Sequence, residues 1–584
     1  MENINFEVID QKVKEYAKRE TRKFYDITNN EFNNIRNNIK KILYEKKVRM
    51  AEISEWGGVF VTVENGESKV IVNWKEIYST EKLITWIKVH DKEQKLAFFE
   101  TSGSDYGTLR IWNNGEFINK DEGWFHDYVF ASSEYVVKEV RSESITDENS
   151  GVPAVYRGEE KVFWKAIKQG MGVSVKVYSG NIFLVVGNEQ ESTLFQGKVD
   201  DPVTWKESAH YDQLIRVIGY RDEKPIIFIE KDYGIIATGS AEYTLEAPIE
   251  DVAVVAEGFL LMEMKDAKIS PSLYGWNMKK IKTYDIQEPS GLIYMASDSK
   301  RAVCVFTSFS STYAVYLYEN EEMKIQESNK VVEPIVEEHE VFYNGIRVHY
   351  FQMNAREQTK NTLVYGYGGF NIPLTPSFNN LFSYLIQNGI NVVVCNLPGG
   401  SEYGESWHKL GMRENKGNVY GSFQSVIKKL HADGHKVICY GVSNGGLLSS
   451  YTLAKIPDIL TGAVIGNPVI DLLKFHKLLA GMYWVSEYGN PDDPEDAKFM
   501  KNFSSMHVLE RRNYPPSLVY TRINDDRVHP YHALAFHEKM NEFGATSYIM
   551  IGEGGHLGAT VEEMTDETAR IASFINLTFE GKIE

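Results

Sequence analysis

One short stretch limits what this chain can fold into. The apolar run "KVICY" at 436–440 is followed by "GVSNGGLLSS", in which glycines surround Ser443 and a segment with helical spacing begins. Residues 441–445 fit the pattern G-x-S-x-G, which between a strand and a helix holds a serine hydroxyl on a sharp turn. Glycines flank such a serine because the turn leaves no room for a β-carbon. Ser443 is therefore a candidate nucleophile, and the alternative is a small polar residue in a glycine-rich bend.

A serine nucleophile of this kind needs an acid and then a base later in the chain. Asp525 follows the strand-like "SLVYTR", and His556 follows the strand-like "SYIMIGEG" in a glycine-rich loop. The aspartate would orient the histidine, and the histidine would take the serine proton. Taken singly, "NDDRV" is also compatible with an acidic loop and "GEGGH" with a flexible turn. The order Ser443, Asp525, His556, each at the end of a strand, favours a catalytic triad.

Charge that develops on a tetrahedral intermediate needs preorganised donors. The backbone amide of Asn444, directly after the serine, is one candidate. The second is predicted in the loop "LVYGYGGFN" at 363–371, where the hydroxyl of Tyr367 could donate. The alternative for Tyr367 is a core tyrosine beside a turn.

The rest of the chain has two distinct patterns around this site. After about residue 333, apolar strand-like runs alternate with helical segments, which predicts an α/β fold with a largely parallel sheet covered on both faces. Between about 50 and 330, short β-rich runs follow one another without convincing helices, which indicates a sandwich, barrel or propeller. The first 45 residues or so have helical spacing.

Tryptophans recur in the β-rich region at intervals of about 40 to 50 residues, the length of a propeller blade. They stand at 74, 112, 164 and 205. About seven such units would fit the region. Chance recurrence of tryptophans at strand edges remains the alternative to a true repeat.

Composition limits which classes of binding partner and which cellular compartment are expected for this chain. A net charge of −18 argues against nucleic acid and against anionic membranes as partners. The polar N-terminal segment does not resemble a signal peptide, and no apolar run reaches the ~18 residues of a membrane span. Cys304, Cys395 and Cys439 have no metal-binding spacing and are expected to be reduced core thiols in a cytoplasmic protein.

Three further histidines, His529, His532 and His537, are expected to be surface or packing residues. No H-E-x-x-H motif is present, so neither a metal site nor a cofactor is predicted.

Several stretches together resemble the prolyl oligopeptidase family of serine peptidases (S9 type) over roughly residues 335–575. The matching segments are "YGYGGFNI", "GGSEYGESWHK", "GVSNGGLL", "DLLKFHK", "NDDRVHPYHA" and "GGHLG". The resemblance implies an α/β-hydrolase domain capped by a seven-bladed β-propeller. The expected boundaries are a helical segment at 1–48 that packs on the hydrolase domain, a propeller at 49–332 and the hydrolase domain at 333–584.

The same resemblance implies roles for individual residues. Ser443, Asp525 and His556 would form the triad, with Tyr367 and the Asn444 amide as the oxyanion hole. Arg527 would bind a substrate carbonyl, and the indole of Trp484 would stack on a substrate proline. The rest of the proline pocket would be Phe370, Val469, Tyr488 and Val528.

The implied function is a monomeric serine endopeptidase that cleaves short peptides after proline through an acyl-enzyme, with the propeller restricting access to oligopeptides. Two alternatives stay open. One is a related oligopeptidase, acylaminoacyl peptidase or esterase with another specificity, and the other is a non-catalytic propeller binding protein.

Three positions depart from the family pattern. Pro398 stands where members carry an arginine, and Gly421-Ser422 replaces an acidic pair. The segment "KFYDITNN" takes the place of an N-terminal motif that members often have. These changes concern loop and domain contacts more than the catalytic residues.

Overall fold

The structure is a computed structural model that describes residues 4–102, 105–139, 151–188, 191–239, 241–356, 359–555 and 560–583. The chain divides into two compact units. One comprises residues 1–45, 308–312 and 330–584, and the other comprises residues 46–307 and 313–329. Within the described ranges, no helix is both long enough and apolar enough to cross a membrane.

The second unit is a β-propeller of seven four-stranded antiparallel blades. Its strands, in chain order, are β1 Lys47–Ser54, β2 Gly57–Glu64, β3 Glu67–Val72, β4 Lys75–Thr80; β5 Leu83–Val89, β6 Lys95–Thr101, β7 Gly107–Asn113, β8 Glu116–Val129; β9 Tyr135–Glu139, β10 Pro153–Arg157, β11 Glu160–Phe163; β12 Gly172–Tyr178, β13 Asn181–Gly187, β14 Ser192–Lys198, β15 Lys206–Tyr211; β16 Ile215–Arg221, β17 Lys224–Ile229, β18 Ile235–Thr238, β19 Ala241–Thr244; β20 Ile249–Val255, β21 Gly258–Lys265, β22 Lys268–Gly275, β23 Lys280–Thr283; β24 Ser290–Ser297, β25 Ala302–Ser308, β26 Ser311–Glu319, β27 Glu322–Lys330.

One long strand serves two blades. The first part of β8 pairs with β7 as the outer strand of blade two, and its second part pairs with β9 as the inner strand of blade three. The ring closes because the inner strand β1 contacts both β5 and β24. The recurring tryptophans at 74, 112, 164 and 205 lie in or beside the third and fourth strands of blades one to four, so this repeat follows the blades.

Polar side chains link neighbouring inner strands. Lys88 on β5 pairs with Asp127 on β8 at 3.3 Å, and Arg216 on β16 pairs with Asp251 on β20 at 2.7 Å. The hydroxyl of Tyr294 on β24 donates to Glu52 on β1 at 2.9 Å, across the junction of the last and first blades. Apolar clusters between adjacent blades supply the main stabilisation, since burial of apolar surface is the dominant favourable term.

The first unit is an α/β fold around an eight-stranded sheet of order β28-β29-β31-β30-β32-β33-β34-β35. The strands are β28 Ile335–Tyr343, β29 Ile346–Asn354, β30 Asn361–Tyr365, β31 Asn391–Cys395, β32 Lys436–Val442, β33 Gly462–Gly466, β34 Ser517–Arg522 and β35 Ser547–Gly552. The helices are α1 Gln11–Leu43, α2 Asn380–Gln387, α3 Glu405–Lys409, α4 Lys416–Ala432, α5 Asn444–Lys455, α6 Val485–Tyr488, α7 Pro494–Phe503, α8 Ser505–Val508, α9 Tyr531–Glu542 and α10 Val561–Phe579.

Only the first strands of this sheet are antiparallel. β28 and β29 form a hairpin around Asn344 and Gly345, both with positive φ, as a two-residue type I′ turn requires. From β31 to β35 the strands are parallel. Strands β31 and β33 are buried along their whole length, which explains their uninterrupted apolar sequences. The carboxyl ends of β30, β32, β34 and β35 therefore meet at one edge of the sheet.

The N-terminal region forms one long helix, where the sequence shows two helical segments. The Asp10 side chain accepts a hydrogen bond from the backbone of Val13 and caps α1. The buried face of α1 packs against α10 and β35. On α10, the guanidinium of Arg570 donates to Thr28 and lies over the ring of Phe32 at 3.7 Å. Helix α1 is thus part of the α/β unit rather than an independent element.

Candidate active site

Ser443 lies on a strained turn between β32 and α5. Its backbone has φ 59° and ψ −117°. Residues other than glycine rarely adopt this backbone conformation, and those that do are often found at functional sites. A β-carbon at Gly441 would lie 2.1 Å from the carbonyl oxygen of Gly445, and one at Gly445 would lie 2.6 Å from that of Gly366. The turn therefore requires glycine at both positions, as the pattern predicts. The backbone N–H of Ser443 donates to Gly466 on β33 at 2.8 Å, which anchors the turn to the sheet.

The Tyr367 loop lies beside this serine. A β-carbon at Gly445 would lie 3.6 Å from the ring of Tyr367, so this ring packs beside the turn that carries Ser443. Burial raises the pKa of Tyr367 above its ordinary value, and the neighbouring Tyr365 and Glu487 add to the rise. The hydroxyl consequently stays protonated at neutral pH and can donate a hydrogen bond.

Asn444 is almost completely buried and connects three parts of the site. Its side-chain amide donates to the backbone carbonyl of Tyr367 at 2.6 Å, and its oxygen accepts from the hydroxyl of Tyr488 at 3.0 Å. Among the described residues, its backbone N–H makes no hydrogen bond. That N–H, in the first turn of α5, and the Tyr367 hydroxyl thus provide two donors close to Ser443.

Asp525 lies in the turn that follows β34 and is 4% exposed. Its Oδ1 accepts hydrogen bonds from the backbone N–H groups of Arg527 at 2.9 Å and Val528 at 2.8 Å. These two donors hold the carboxylate in place in the turn after β34. His556, the predicted base, lies outside the described residues, whereas the preceding strand β35 lies beside β34 in the sheet.

The predicted proline-pocket residues share one apolar core. Val469, Tyr488 and Val528 are buried there, and the partly buried Phe370 and Trp484 pack against it. The ring of Tyr488 makes edge contacts with Phe370 and with Phe475, at centroid distances of 5.5 and 5.3 Å. The rings of Trp484 and Phe475 are nearly parallel, and their centroids are 6.4 Å apart. Phe475, which the sequence does not single out, therefore connects Trp484 to the rest of the pocket.

A buried ion-pair network below the Tyr367 loop was not predicted from the sequence. Glu487 on α6 pairs with the ammonium of Lys416 at 2.9 Å and with His408 on α3 at 3.0 Å. Burial acts to raise the pKa of Glu487, but the charge of Lys416 and the hydrogen bond from His408 hold it below its usual range. The carboxylate is therefore ionised. These residues lie far apart in sequence, and no local pattern connects them.

Glu402 is a second buried carboxyl close to this loop, and it is 1% exposed. Its Oε1 accepts from the backbone of Leu374 at 2.9 Å and from the Asn396 side chain at 3.3 Å. Burial raises its pKa to about 7. Glu402 thus ties the loop after Phe370 to the loop after β31.

One departure from the family pattern has a steric reason. A β-carbon at Gly421 on α4 would lie 2.1 Å from the ring of Tyr343, at the end of β28. An acidic side chain cannot fit there while this tyrosine packs on the helix.

The other histidines have packing roles. His532 is fully buried and accepts a hydrogen bond from the backbone of Asp471 at 3.1 Å, and burial lowers its pKa to about 3. His537 is buried between α9 and β35 and contacts Ser547 at 3.1 Å. In the part of the chain that the structure describes, no group of three or more His, Cys, Asp or Glu side chains could hold a metal ion.

Sequence comparison identifies relatives of the α/β unit. Residues 376–582 match the prolyl oligopeptidase family. The chain is 37% identical over 205 residues to prolyl oligopeptidase A of Amanita bisporigera, covering 33% of this chain and 27% of that protein. It is 31% identical over 276 residues to a prolyl endopeptidase of Elizabethkingia miricola, covering 44% and 38%. The matched segments therefore span about a third of the length of these relatives.

Comparison of structures extends the likeness to the whole fold. A solved structure from a study of two prolyl endopeptidases superimposes with a TM-score of 0.89 at 19% identity, covering 99% of this chain and 96% of the other. At that identity the likeness establishes the fold alone, an α/β-hydrolase with a β-propeller. Residues 376–582 of the α/β unit are therefore similar in sequence to the prolyl oligopeptidase family.

Proposed function

We propose that this protein is a serine peptidase that hydrolyses short peptides on the carboxyl side of proline. The observation that carries the proposal is the turn at Ser443, with its positive φ and with glycines that no other residue could replace. Such a turn presents a serine hydroxyl at the start of a helix, the arrangement of the nucleophile in α/β-hydrolases. The match of residues 376–582 to the prolyl oligopeptidase family and the names of the relatives support the substrate class.

The proposed reaction proceeds through an acyl-enzyme. His556 takes the proton of Ser443 as its Oγ attacks the carbonyl carbon of the proline residue, and Asp525 orients that histidine. The Tyr367 hydroxyl and the backbone N–H of Asn444 stabilise the oxyanion. His556 then gives the proton to the leaving amine, and water releases the acyl group by the same steps.

Substrate recognition is proposed for the residues around the apolar core. Trp484 stacks on the proline ring, and Phe370, Val469, Tyr488 and Val528 complete an apolar slot. Arg527 binds a backbone carbonyl on the acyl side. An apolar pocket without a counter-charge disfavours lysine and arginine at the cleaved position.

The decisive experiment compares the protein with its Ser443→Ala variant on a peptide anilide that ends in proline. We expect hydrolysis to be abolished while the circular-dichroism spectrum and the melting temperature are retained. A fluorophosphonate probe should label the parent protein and not the variant. Unchanged turnover by the variant would exclude Ser443 as nucleophile, and absence of labelling in the parent would favour a non-catalytic binding protein.

Specificity is tested with matched substrates that carry proline, alanine or arginine at the cleaved position. A preference for arginine would contradict the role of Trp484 and favour a related oligopeptidase. Folded proteins added at the same concentration should remain uncut if the propeller restricts access to oligopeptides.

We further infer a cytoplasmic, monomeric enzyme. The three cysteines are free and buried, which is typical of proteins from reducing compartments. Light scattering of the purified protein tests the monomer.

A further inference from the structure

The Tyr367 loop is supported from below by a buried lysine. The ammonium of Lys416, the first residue of α4, donates to the backbone carbonyl of Gly368 at 3.2 Å and to Glu487 at 2.9 Å. The side chains of Lys416 and Glu487 are only 3% and 2% exposed. Gly368 directly follows Tyr367, so this hydrogen bond acts on the loop that carries the candidate oxyanion donor.

The lysine occupies an energetically unfavourable place. Removing two charges from water costs several kcal/mol per ion, and a buried ion pair rarely adds net stability. A cation in the first turn of a helix also opposes the helix dipole. Stability alone therefore gives no reason for a charged pair at this position.

The loop leaves little freedom around this contact. Gly368 has φ +62°, and a β-carbon there would lie 2.3 Å from the side chain of Val419 on α4. A β-carbon at Gly369 would lie 2.6 Å from the Asn444 amide and 3.0 Å from a Glu487 carboxylate oxygen. The loop thus packs tightly against both the Glu487–Lys416 pair and the first turn of α5.

Two further contacts join the pair to the candidate pocket. His408 holds the second oxygen of Glu487, so the carboxylate cannot rotate away from Lys416. The ammonium also lies 5.2 Å from the ring centre of Tyr488, whose hydroxyl donates to Asn444. Lys416 therefore contacts both supports of Tyr367, namely the carbonyl of Gly368 and the ring of Tyr488.

We propose that Lys416 is a positioning residue: its ammonium, held by Glu487 and His408, fixes the carbonyl of Gly368 and so places the Tyr367 hydroxyl beside the developing oxyanion. This inference rests on the proposed function of Tyr367 as an oxyanion donor. Interactions that strengthen only in the transition state raise kcat rather than lower KM. Loss of Lys416 should therefore reduce kcat and leave KM nearly unchanged.

The first test is Lys416→Met, assayed per active site titrated with a fluorophosphonate. Because loss of a whole oxyanion donor costs about 10²–10³ in kcat, we expect a reduction of about 10- to 100-fold for a displaced donor. The matched control is Lys539→Met, which also removes a lysine bond to a backbone carbonyl, that of Met506, in the same unit. That variant should retain the parent kcat.

A second variant separates the effect of Lys416 on the position of the Tyr367 loop from its effect on the stability of the protein. Lys416→Met alone leaves the Glu487 carboxylate buried without its cation and should lower the melting temperature. The double variant Lys416→Met/Glu487→Gln removes that charge as well, so its melting temperature should recover. Its kcat should stay low, because the carbonyl of Gly368 still lacks its donor. Recovery of kcat together with stability would overturn the proposal.

A double-mutant cycle with Tyr367→Phe tests the route of the effect. If Lys416 acts through Tyr367, its loss should cost little further kcat in the Tyr367→Phe background. Additive losses, or a parent kcat in Lys416→Met, would contradict the positioning role. These outcomes differ from failure of the proposed function, in which Ser443→Ala would still hydrolyse the substrate.

Discussion

The side-chain amide of Asn444 donates a hydrogen bond of 2.6 Å to the backbone carbonyl of Tyr367. This bond joins the first turn of α5 to the loop after β30, so the two candidate oxyanion donors cannot move independently. The Tyr488 hydroxyl holds the other end of the same amide at 3.0 Å, which links the oxyanion donors to the apolar pocket. One side chain thereby couples the place where charge would develop to the place where the substrate ring would lie.

Replacing Asn444 by aspartate tests this coupling. Asn444→Asp keeps the size of the side chain and the backbone N–H but puts a carboxylate oxygen opposite the Tyr367 carbonyl. We expect kcat for a proline anilide to fall about 10- to 100-fold, since displaced donors stabilise the oxyanion less. The control is Asn418→Asp, because Asn418 donates in the same way to Leu410 at 3.0 Å away from the serine. Similar losses in both variants would contradict the specific role of Asn444.

Proline selectivity should depend on Trp484. Trp484→Leu keeps an apolar side chain but removes the flat indole that would stack on the substrate ring. We expect kcat/KM to fall about 10-fold for proline at the cleaved position and much less for alanine. The control is Trp164→Leu, which changes a 40% exposed tryptophan of the propeller. Equal losses for both substrates would place Trp484 among packing residues.

Residues that act locally could be predicted from the sequence. The glycines around Ser443, the strand before it and the Asn344-Gly345 hairpin each have a signal within a few residues, and the alternation of apolar strands and helices predicts the α/β unit. The shared strand β8 and the pairing of Lys416 with Glu487 have no such signal. Both depend on segments that only the folded chain brings together, and a lysine at a helix start resembles a solvated residue. The contacts of Phe475 with Trp484 and Tyr488 likewise have no local sequence signal.

The cysteines should be unreactive in the native protein. Cys304, Cys395 and Cys439 are buried, and burial raises the pKa of the Cys439 thiol to about 12. Because the thiolate is the reactive form, a chromogenic disulfide reagent at pH 8 should not react with the native protein. In denaturant all 3 cysteines should react. Rapid reaction of one thiol in the native state would show that its segment opens locally.

The stability of the α/β unit should depend on the protonation of Glu402. Burial raises the pKa of this carboxyl from 4.5 to about 7. Below pH 4.5 the carboxyl is protonated in the folded and unfolded states alike. Its contribution to the free energy of unfolding is therefore fully present there. Between pH 4.5 and 7 the unfolded chain releases the proton while the folded chain keeps it, and stability falls with rising pH. By pH 7 the accumulated loss in the free energy of unfolding amounts to about 3 kcal/mol, at 1.36 kcal/mol per pH unit.

Glu402→Gln makes this position neutral at every pH while its Oε1 still accepts from Leu374. We therefore expect the free energy of unfolding of the variant, relative to the parent, to increase between pH 5 and pH 7 and to level off above pH 7. Urea unfolding at pH 5, 6, 7 and 8 measures the difference. Glu414→Gln, at a carboxylate whose side chain is 65% exposed, is the control and should show no such trend. A difference between Glu402→Gln and the parent that is constant over this range would mean that Glu402 is ionised in the folded protein, because only a proton held by the folded state alone produces the trend.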